Sequence, residues 1–284
     1  MSAPLLEYGV FSKMHFDRQG LIVAERDGKP VGFVHAGFGP TDDGLQIDRT
    51  LGTTHLLQVE PAEAAGSLPT ELLAASEGYL RERGATVLYA GGINPLVSFY
   101  LGLYGGSEIP GVLQTDAIFR RACTERGYSE ISRVSVLQCD LARFRPPVSR
   151  EVRNVKRTTV TAEIVDPPAK SWWEACVWGG LQRDRFELSD RGKSDSAARA
   201  SFWDMQPLSS CWGMTTAGLY ELYVEPQSRR KGYASHLLAE TFRVLQRRGV
   251  TAVEAQCMST NEAALAFYAK LGFAEVDWGT VWRL

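Results

Sequence analysis

The sequence predicts an α/β chain built from two tandem copies of one unit, each a mixed, mostly antiparallel central sheet flanked by helices. Three observations predict it. The length, 284 residues, suits two domains of ordinary size. A 36-residue stretch from His55 to Ala90 recurs at an offset of 165 residues, with 12 identities and no gap; ordinary composition would give about two or three by chance. Each copy reads strand–helix–strand, which requires two parallel strands joined by a crossover helix.

In the first copy, Leu21 to Glu25 alternates, Asp27-Gly28 supplies a turn, and Val31 to Phe38 returns as a hairpin. A strand at His55–Val59 runs into Glu60-Pro61. An amphipathic helix at Pro69–Arg83 ends at Gly84, and a strand follows at Thr86–Ala90. The second copy opens with a strand at Thr159–Val165 and a helix at Ser171–Leu181. Its hairpin runs through Arg185–Ser189 and Ala198–Met205, then a strand at Leu219–Val224, a helix at Ala234–Arg248 ended by Gly249, and a strand at Ala252–Gln256. Only 20 residues precede the first hairpin, so the first copy is expected to lack the opening strand. A further match, Gly127-Tyr128 to Gly272-Phe273, has the shorter offset of 145, so the first copy carries about 20 extra residues around Gly91–Leu113. The Pro- and charge-rich stretch 143–157 reads as a linker, which divides the chain into 1–142, a shortened and degenerate copy, and 158–284, the copy with chemistry.

Apolar residues are 44% and charged residues 23% of the chain, which excludes global disorder. Lys plus Arg (31) and Asp plus Glu (33) leave a net charge of −2, without the basic excess of a non-specific nucleic-acid binder. No apolar run approaches the roughly 20 residues of a membrane span, and Met1–Asp17 has no signal pattern. Cys123, Cys139, Cys176, Cys211 and Cys257 are scattered, with no metal-ligand or disulfide spacing. The expectation is a cytoplasmic protein, monomer or homodimer, with no metal, nucleic-acid or membrane partner.

The copies differ where it matters. After Val224-Glu225-Pro226 the second copy reads Gln227-Ser228-Arg229-Arg230-Lys231-Gly232-Tyr233-Ala234-Ser235, a strand-to-helix loop. Amides at a helix start are unpaired and carry the positive end of the helix dipole; Gly232 admits close approach, and three basic residues add field. This is an anion site suited to a pyrophosphate. The first copy has no basic residue there, carries Glu63, and places Pro69 at the helix start.

Arg229-Arg230-Lys231-Gly232-Tyr233-Ala234 fits [QR]-x-x-G-x-[GA], and Asn261 to Phe273 reads as a helix starting at an Asn, carrying Tyr268 and ending in Gly272-Phe273. In this order the motifs resemble the GNAT superfamily, the acyl-CoA-dependent N-acyltransferases. The resemblance covers Thr159–Leu284 well and only the fold-level pattern of residues 1–142. It implies two tandem GNAT-like domains, with a splayed strand pair for acyl-CoA in the second. It also implies backbone contacts from Leu222, Tyr223 and Val224 to the pantetheine arm, pyrophosphate binding by the loop from Arg229 to Ser235, and Asn261 against the arm or loop. Tyr268 would protonate the leaving thiolate; the first copy has Cys123 at that place. The implied activity is transfer of acetyl from acetyl-CoA to a primary amine of a small molecule or peptide, with a catalytically inactive CoA-binding or interaction module as the other reading. The attacking amine must lose a proton, and Glu221 and Glu254 are the carboxylates available to take it. Trp172, Trp173, Trp178, Trp203 and Trp212 read as core or cleft lining.

Overall fold

A computed structural model describes residues 3–284. The first half runs α1 (Ala3–Leu6), β1 (Leu21–Arg26), β2 (Lys29–Pro40), β3 (Ile47–Val59), α2 (Leu68–Glu82), β4 (Val87–Ala90), β5 (Val112–Leu113), α3 (Ala117–Glu125) and β6 (Ser129–Asp140). The second half runs α4 (Arg150–Thr158), β7 (Thr159–Val165), α5 (Trp172–Trp178), β8 (Arg183–Asp190), β9 (Ser196–Asp204), α6 (Ser209–Trp212), β10 (Thr216–Val224), α7 (Tyr233–Arg247), β11 (Ala252–Met258), α8 (Glu262–Lys270) and β12 (Ala274–Arg283). Among the described residues no strand precedes β1, so the first half lacks the partner that β7 gives the second. The stretch expected to be a linker is helical from Arg150 onward. Ser149 caps α4 by accepting the Val152 N–H at 3.2 Å.

The halves do not form two sheets packed together. All the strands belong to one twelve-stranded sheet in the order β1-β2-β3-β4-β12-β6-β11-β10-β9-β8-β7, with β5 beside β12. Each half has one strand after its last helix, and the two are exchanged. β6 pairs antiparallel with β11 of the second half, from Ala252↔Asp140 to Met258↔Val134. β12 pairs with β4 of the first half through Trp282↔Ala90 and Arg283↔Tyr89. Between them, β6 and β12 pair with each other from Ala274↔Gln138 to Arg283↔Ser129. Backbone groups that would otherwise form two open edges are thereby satisfied.

The cores are exchanged with the strands. Trp282 packs in the first-half core with Val34, Leu57, Leu73, Leu80, Phe119 and Cys123. Leu137, Cys139, Leu141 and Phe144, at the end of the first half, pack in the second-half core with Phe186, Phe202, Leu219 and Phe242.

Among the described residues only two strand pairs are parallel, β3 with β4 and β10 with β11, as the crossover helices α2 and α7 require. Both open at equivalent places. Pairing stops at Leu219↔Ala255 in the second half and at Thr54↔Ala90 in the first. In each, the next residue of the first strand, Tyr220 or His55, is a β-bulge against its antiparallel neighbour. A bulge adds twist and bends a strand away from its partner, so the sequence repeat carries the splay with it.

In the first half the region beside the splay is filled by the chain's own extra residues. Val97, Phe99, Tyr100 and Ile109 pack on Leu56. Tyr100 bonds His35 Nδ1 at 2.9 Å, and Phe99 lies 5.0 Å from the His55 ring. Burial holds these imidazoles neutral, together with that of His15, whose ring lies 4.7 Å from that of Phe99: the pKa of His15 falls to about 4, that of His35 to about 3, and that of His55 well below the ordinary value. All five cysteines are free thiols, and no helix among the described residues is long and apolar enough to cross a membrane.

Two predictions follow from this packing. Trp282→Ala removes a first-half core residue supplied by the last strand and costs about 3–5 kcal/mol. Its loss shows as early exchange of β2–β4 amides in hydrogen-exchange mass spectrometry; damage confined to the second half would contradict the exchange. Between pH 6.5 and about 3 the unfolded chain binds more protons than the folded one at the buried histidines, so stability falls as the pH drops through that window. The urea midpoint is therefore lower at pH 4.5 than at pH 7, and His55→Leu flattens that dependence.

Candidate functional site

The second half keeps its splay open. A cleft of about 300 Å³ lies between the diverging strands, lined by Leu219, Tyr220, Glu221 and Leu222 of β10, Gln256–Met258 of β11, Asn261, Ala264, Phe267 and Tyr268 of the α8 region, and Glu108. Beyond Leu219, β10 keeps β9 on one side and has no strand on the other. The Val224 carbonyl is engaged by Arg229 Nε at 3.0 Å, and the Tyr223 ring carries the Arg199 guanidinium 4.3 Å from its centroid.

The strand leads to the start of α7. Gly232 is the residue before the helix, at φ 89°, and no side chain caps it. The first amide with a helical partner is that of His236, which donates to the Gly232 carbonyl at 3.0 Å. Among the described residues the amides of Arg230, Lys231, Gly232, Tyr233, Ala234 and Ser235 donate to no protein group. Six unpaired donors stand at the positive end of a fifteen-residue helix, a geometry suited to receiving an anion. Arg230 also has positive φ, 58°. Arg229, Arg230 and Lys231 are exposed. The Tyr233 hydroxyl donates to Asp190 at 2.7 Å, tying the helix start to the end of β8. At position 232 the positive φ favours glycine, and a Cβ would stand 3.0 Å from the Val152 nitrogen of α4, a tight contact.

The corresponding place in the first half is closed. Pro69 stands in the first turn of α2, Glu63 pairs with Arg26, and Arg121 donates to the loop carbonyl of Ala64. Cys123 is fully buried in the core, and burial pushes its thiol pKa far up.

Tyr268 lies on α8, which Asn261 caps by accepting the Ala264 N–H at 3.2 Å. That bond uses the carboxamide oxygen and leaves the NH₂ of Asn261, a residue lining the cleft, free to donate. The Tyr268 side chain is buried, and its hydroxyl bonds no protein group among the described residues. Burial raises its pKa far above 10, with the Cys257 and Glu108 charges adding to the effect, so the phenol holds its proton at any physiological pH.

The two carboxylates singled out by sequence fall in different settings. Glu221 lines the cleft, held by Arg199 Nε at 2.8 Å, Ser201 Oγ at 2.8 Å and Lys170 Nζ at 3.3 Å. Burial works against its charge, but these partners prevail and its pKa is lowered. Glu254 is wholly buried behind the cleft, where it accepts the Ser107 N–H at 2.5 Å. Burial raises its pKa to about 7. The structure thus brings Tyr268, Asn261, Leu222 and Glu221 around one cleft and sets Glu254 outside it.

Sequence reasoning missed the contribution of the extra first-half segment. It crosses to the second half and lays Glu108 into the cleft beside Tyr268. The available signal was the insertion itself, about 20 residues present in one copy only. A second cleft of about 250 Å³ adjoins the first and shares Tyr220 and Glu221 with it; Asn94, Trp173, Trp178 and Lys170 also line it. Trp178 stacks on Tyr220 at 4.3 Å. Among the described residues no group of three or more His, Cys, Asp or Glu is placed to hold a metal ion.

Residues 197–273, from β9 through α8, match the family model described as the acetyltransferase (GNAT) family. The match lies wholly in the second half, and over the whole chain the likeness is to the fold of solved tandem GNAT structures. A tandem GNAT protein from the clavulanic acid biosynthesis pathway is 18% identical, with a TM-score of 0.63 over 92% of this chain and 81% of that one. A GCN5-related N-acetyltransferase from Sphaerobacter thermophilus is 14% identical, with a TM-score of 0.64 over 94% and 80%. A GCN5-related glucosamine N-acetyltransferase region of a fungal multi-domain GH3 beta-N-acetylglucosaminidase is 19% identical, with a TM-score of 0.67 over 99% of this chain and 36% of that one. At these identities the likeness is one of fold. A search of curated proteins finds no match to the chain.

Gly232→Glu places a negative side chain at the start of α7 and forces α4 to move. Calorimetry with acetyl-CoA should show no binding to this variant, whereas Ala64→Glu in the closed first-half loop should leave the affinity within about twofold. Equal affinity in wild type and Gly232→Glu would remove the loop assignment.

Proposed function

We propose that the chain is an acyl-CoA-dependent N-acetyltransferase that moves an acetyl group from acetyl-CoA to a primary amine. One observation carries this reading: a splayed strand pair whose gap stays unfilled in the second half alone, with unpaired helix-start amides following the first of its strands and a buried, protonated tyrosine on the gap's wall. The amides of Arg230 to Ser235 hold the diphosphate, with Arg229, Arg230 and Lys231 adding charge. The free edge of β10 at Leu222, Tyr223 and Val224 aligns the pantetheine arm as an added strand would lie. The Val224 contact falls to its N–H, since Arg229 occupies the carbonyl. Asn261 donates to the arm through its NH₂.

The thioester then lies beside Tyr268. As the carbon–sulfur bond breaks, the electron pair stays on sulfur and the phenol supplies the proton. The cost of moving that proton falls because the thiolate is itself desolvated in the cleft and becomes more basic there. The acceptor enters from the aromatic side, where Trp173, Trp178 and Tyr220 offer apolar walls to its body.

Tyr268→Phe should leave acetyl-CoA affinity within about twofold and lower turnover about 10²-fold. The measurement is acetyl-CoA affinity by calorimetry together with thiol release across a set of primary amines. If wild type binds acetyl-CoA and releases no thiol with any amine, the chain acts as a CoA-binding module. Unchanged turnover in Tyr268→Phe would take the tyrosine out of the acid role.

A further inference from the structure

We infer that Glu108, a residue of the first half, is the general base of the second half's site. The assignment rests on the reading above, that the cleft transfers an acetyl group to an amine.

Position is the first argument. Glu108 lines the strand cleft with Tyr268 and Leu219–Leu222. Its Oε1 accepts from Asn94 Nδ2 at 3.4 Å, and Asn94 lines the aromatic cleft. The two clefts meet at Tyr220 and Glu221. Glu108 therefore stands at the junction where an amine arriving from the aromatic side meets a thioester lying between the strands.

The second argument is how the residue is held. Gln256 Nε2 on β11 donates to the Glu108 carbonyl at 2.6 Å and to the Gly105 carbonyl at 3.1 Å. Trp203 Nε1 donates to the Ser107 carbonyl at 3.0 Å, and the Ser107 N–H donates to Glu254. A Cβ on Gly106 would collide with the Glu254 carboxylate, and its φ of 112° suits glycine alone. Three second-half side chains thus clamp the main chain on either side of Glu108 and leave its carboxylate one neutral partner.

The third argument is the exclusion of its neighbours. Glu221 is neutralised by Arg199 and Lys170 and bonded by Ser201, so its charge is already stabilised. Glu254 is consumed by the clamp and has no exposed surface. The groups that bear on Glu108 are Glu254 from β11, Tyr268 and Cys257 from the cleft walls, Glu221 with its two cations from β10, and neutral Asn94. Burial, reinforced by the Glu254 charge and opposed by Asn94, raises the Glu108 pKa to about 7, which is near the value at which a base at neutral pH works best.

The step balances. An alkylammonium acceptor gives one proton to the Glu108 carboxylate, and the freed nitrogen pair forms the bond to the acetyl carbon as the carbon–sulfur bond breaks. Tyr268 gives its proton to sulfur and regains one from the nitrogen, which keeps one as the amide N–H. The products are the acetamide, the CoA thiol and protonated Glu108.

The test compares wild type, Glu108→Gln and Glu108→Asp with tryptamine, spermidine and glucosamine as acceptors, and with an arylamine that is already neutral at pH 7. Acetyl-CoA affinity by calorimetry checks that each variant is folded and loaded. Glu108→Gln should lose about 10²-fold in kcat/KM for the alkylamines at pH 7, and much less for the arylamine. Its rising pH limb should move from near 7 to the acceptor's own pKa, while Glu108→Asp keeps the limb near 7 at reduced rate. An unchanged pH profile with equal losses for both amine types would assign Glu108 a structural role and overturn the inference. Failure of wild type to bind acetyl-CoA would instead bring down the functional reading on which it rests.

Discussion

The exchange of β6 and β12 is the constraint on which the rest of the molecule depends. Each half ends in a single strand after its last helix, and neither strand completes its own half alone. Pairing them with each other, and each with the other half, turns two open edges into the middle of one sheet. The hydrophobic payload moves with the backbone. Trp282 belongs to the first core and Leu137, Leu141 and Phe144 to the second, so neither core is complete without the other half's chain.

That arrangement explains how the first half comes to line a cleft of the second. Both halves carry the bulge and the splay, which are properties of the repeated strand. They part company in what enters the gap. In the first half the chain's own Val97, Phe99, Tyr100 and Ile109 pack on Leu56, while Pro69 and Arg121 close the loop where an anion would lie. The same segment then continues across the shared sheet and is pinned by Trp203, Glu254 and Gln256. Material that fills one cleft thereby furnishes a wall of the other.

The electrostatics follow the same division. Three carboxylates around the second-half cleft have three environments: Glu221 ion-paired and lowered, Glu254 buried on an amide and raised, Glu108 partly buried with one neutral partner and raised. Identical chemistry is sorted by desolvation and by which cations lie within reach. Tyr268, whose hydroxyl bonds no protein group among the described residues, is kept protonated by burial.

The sequence by itself determined the local elements and the uncapped helix start after β10. Val224-Glu225-Pro226 through Ala234 specifies a strand, a turn and an uncapped helix start, and the unpaired amides follow from backbone geometry within a few residues. The parallel pairs follow from strand–helix–strand spacing, and the closed first copy from Pro69, Glu63 and Cys123. What only the tertiary structure decided is non-local. The strand exchange depends on which edges compete for β6 and β12, and the hydrophobic alternation of a strand does not name its neighbour. The helix at 150–158 formed because Ser149 caps it and Val155 finds a buried seat in the second core, which charge composition conceals. Glu108 and Asn94 reach the cleft because a segment far away in sequence is clamped there by second-half side chains. No local pattern encodes that contact, since long-range packing alone chooses the face an inserted loop presents.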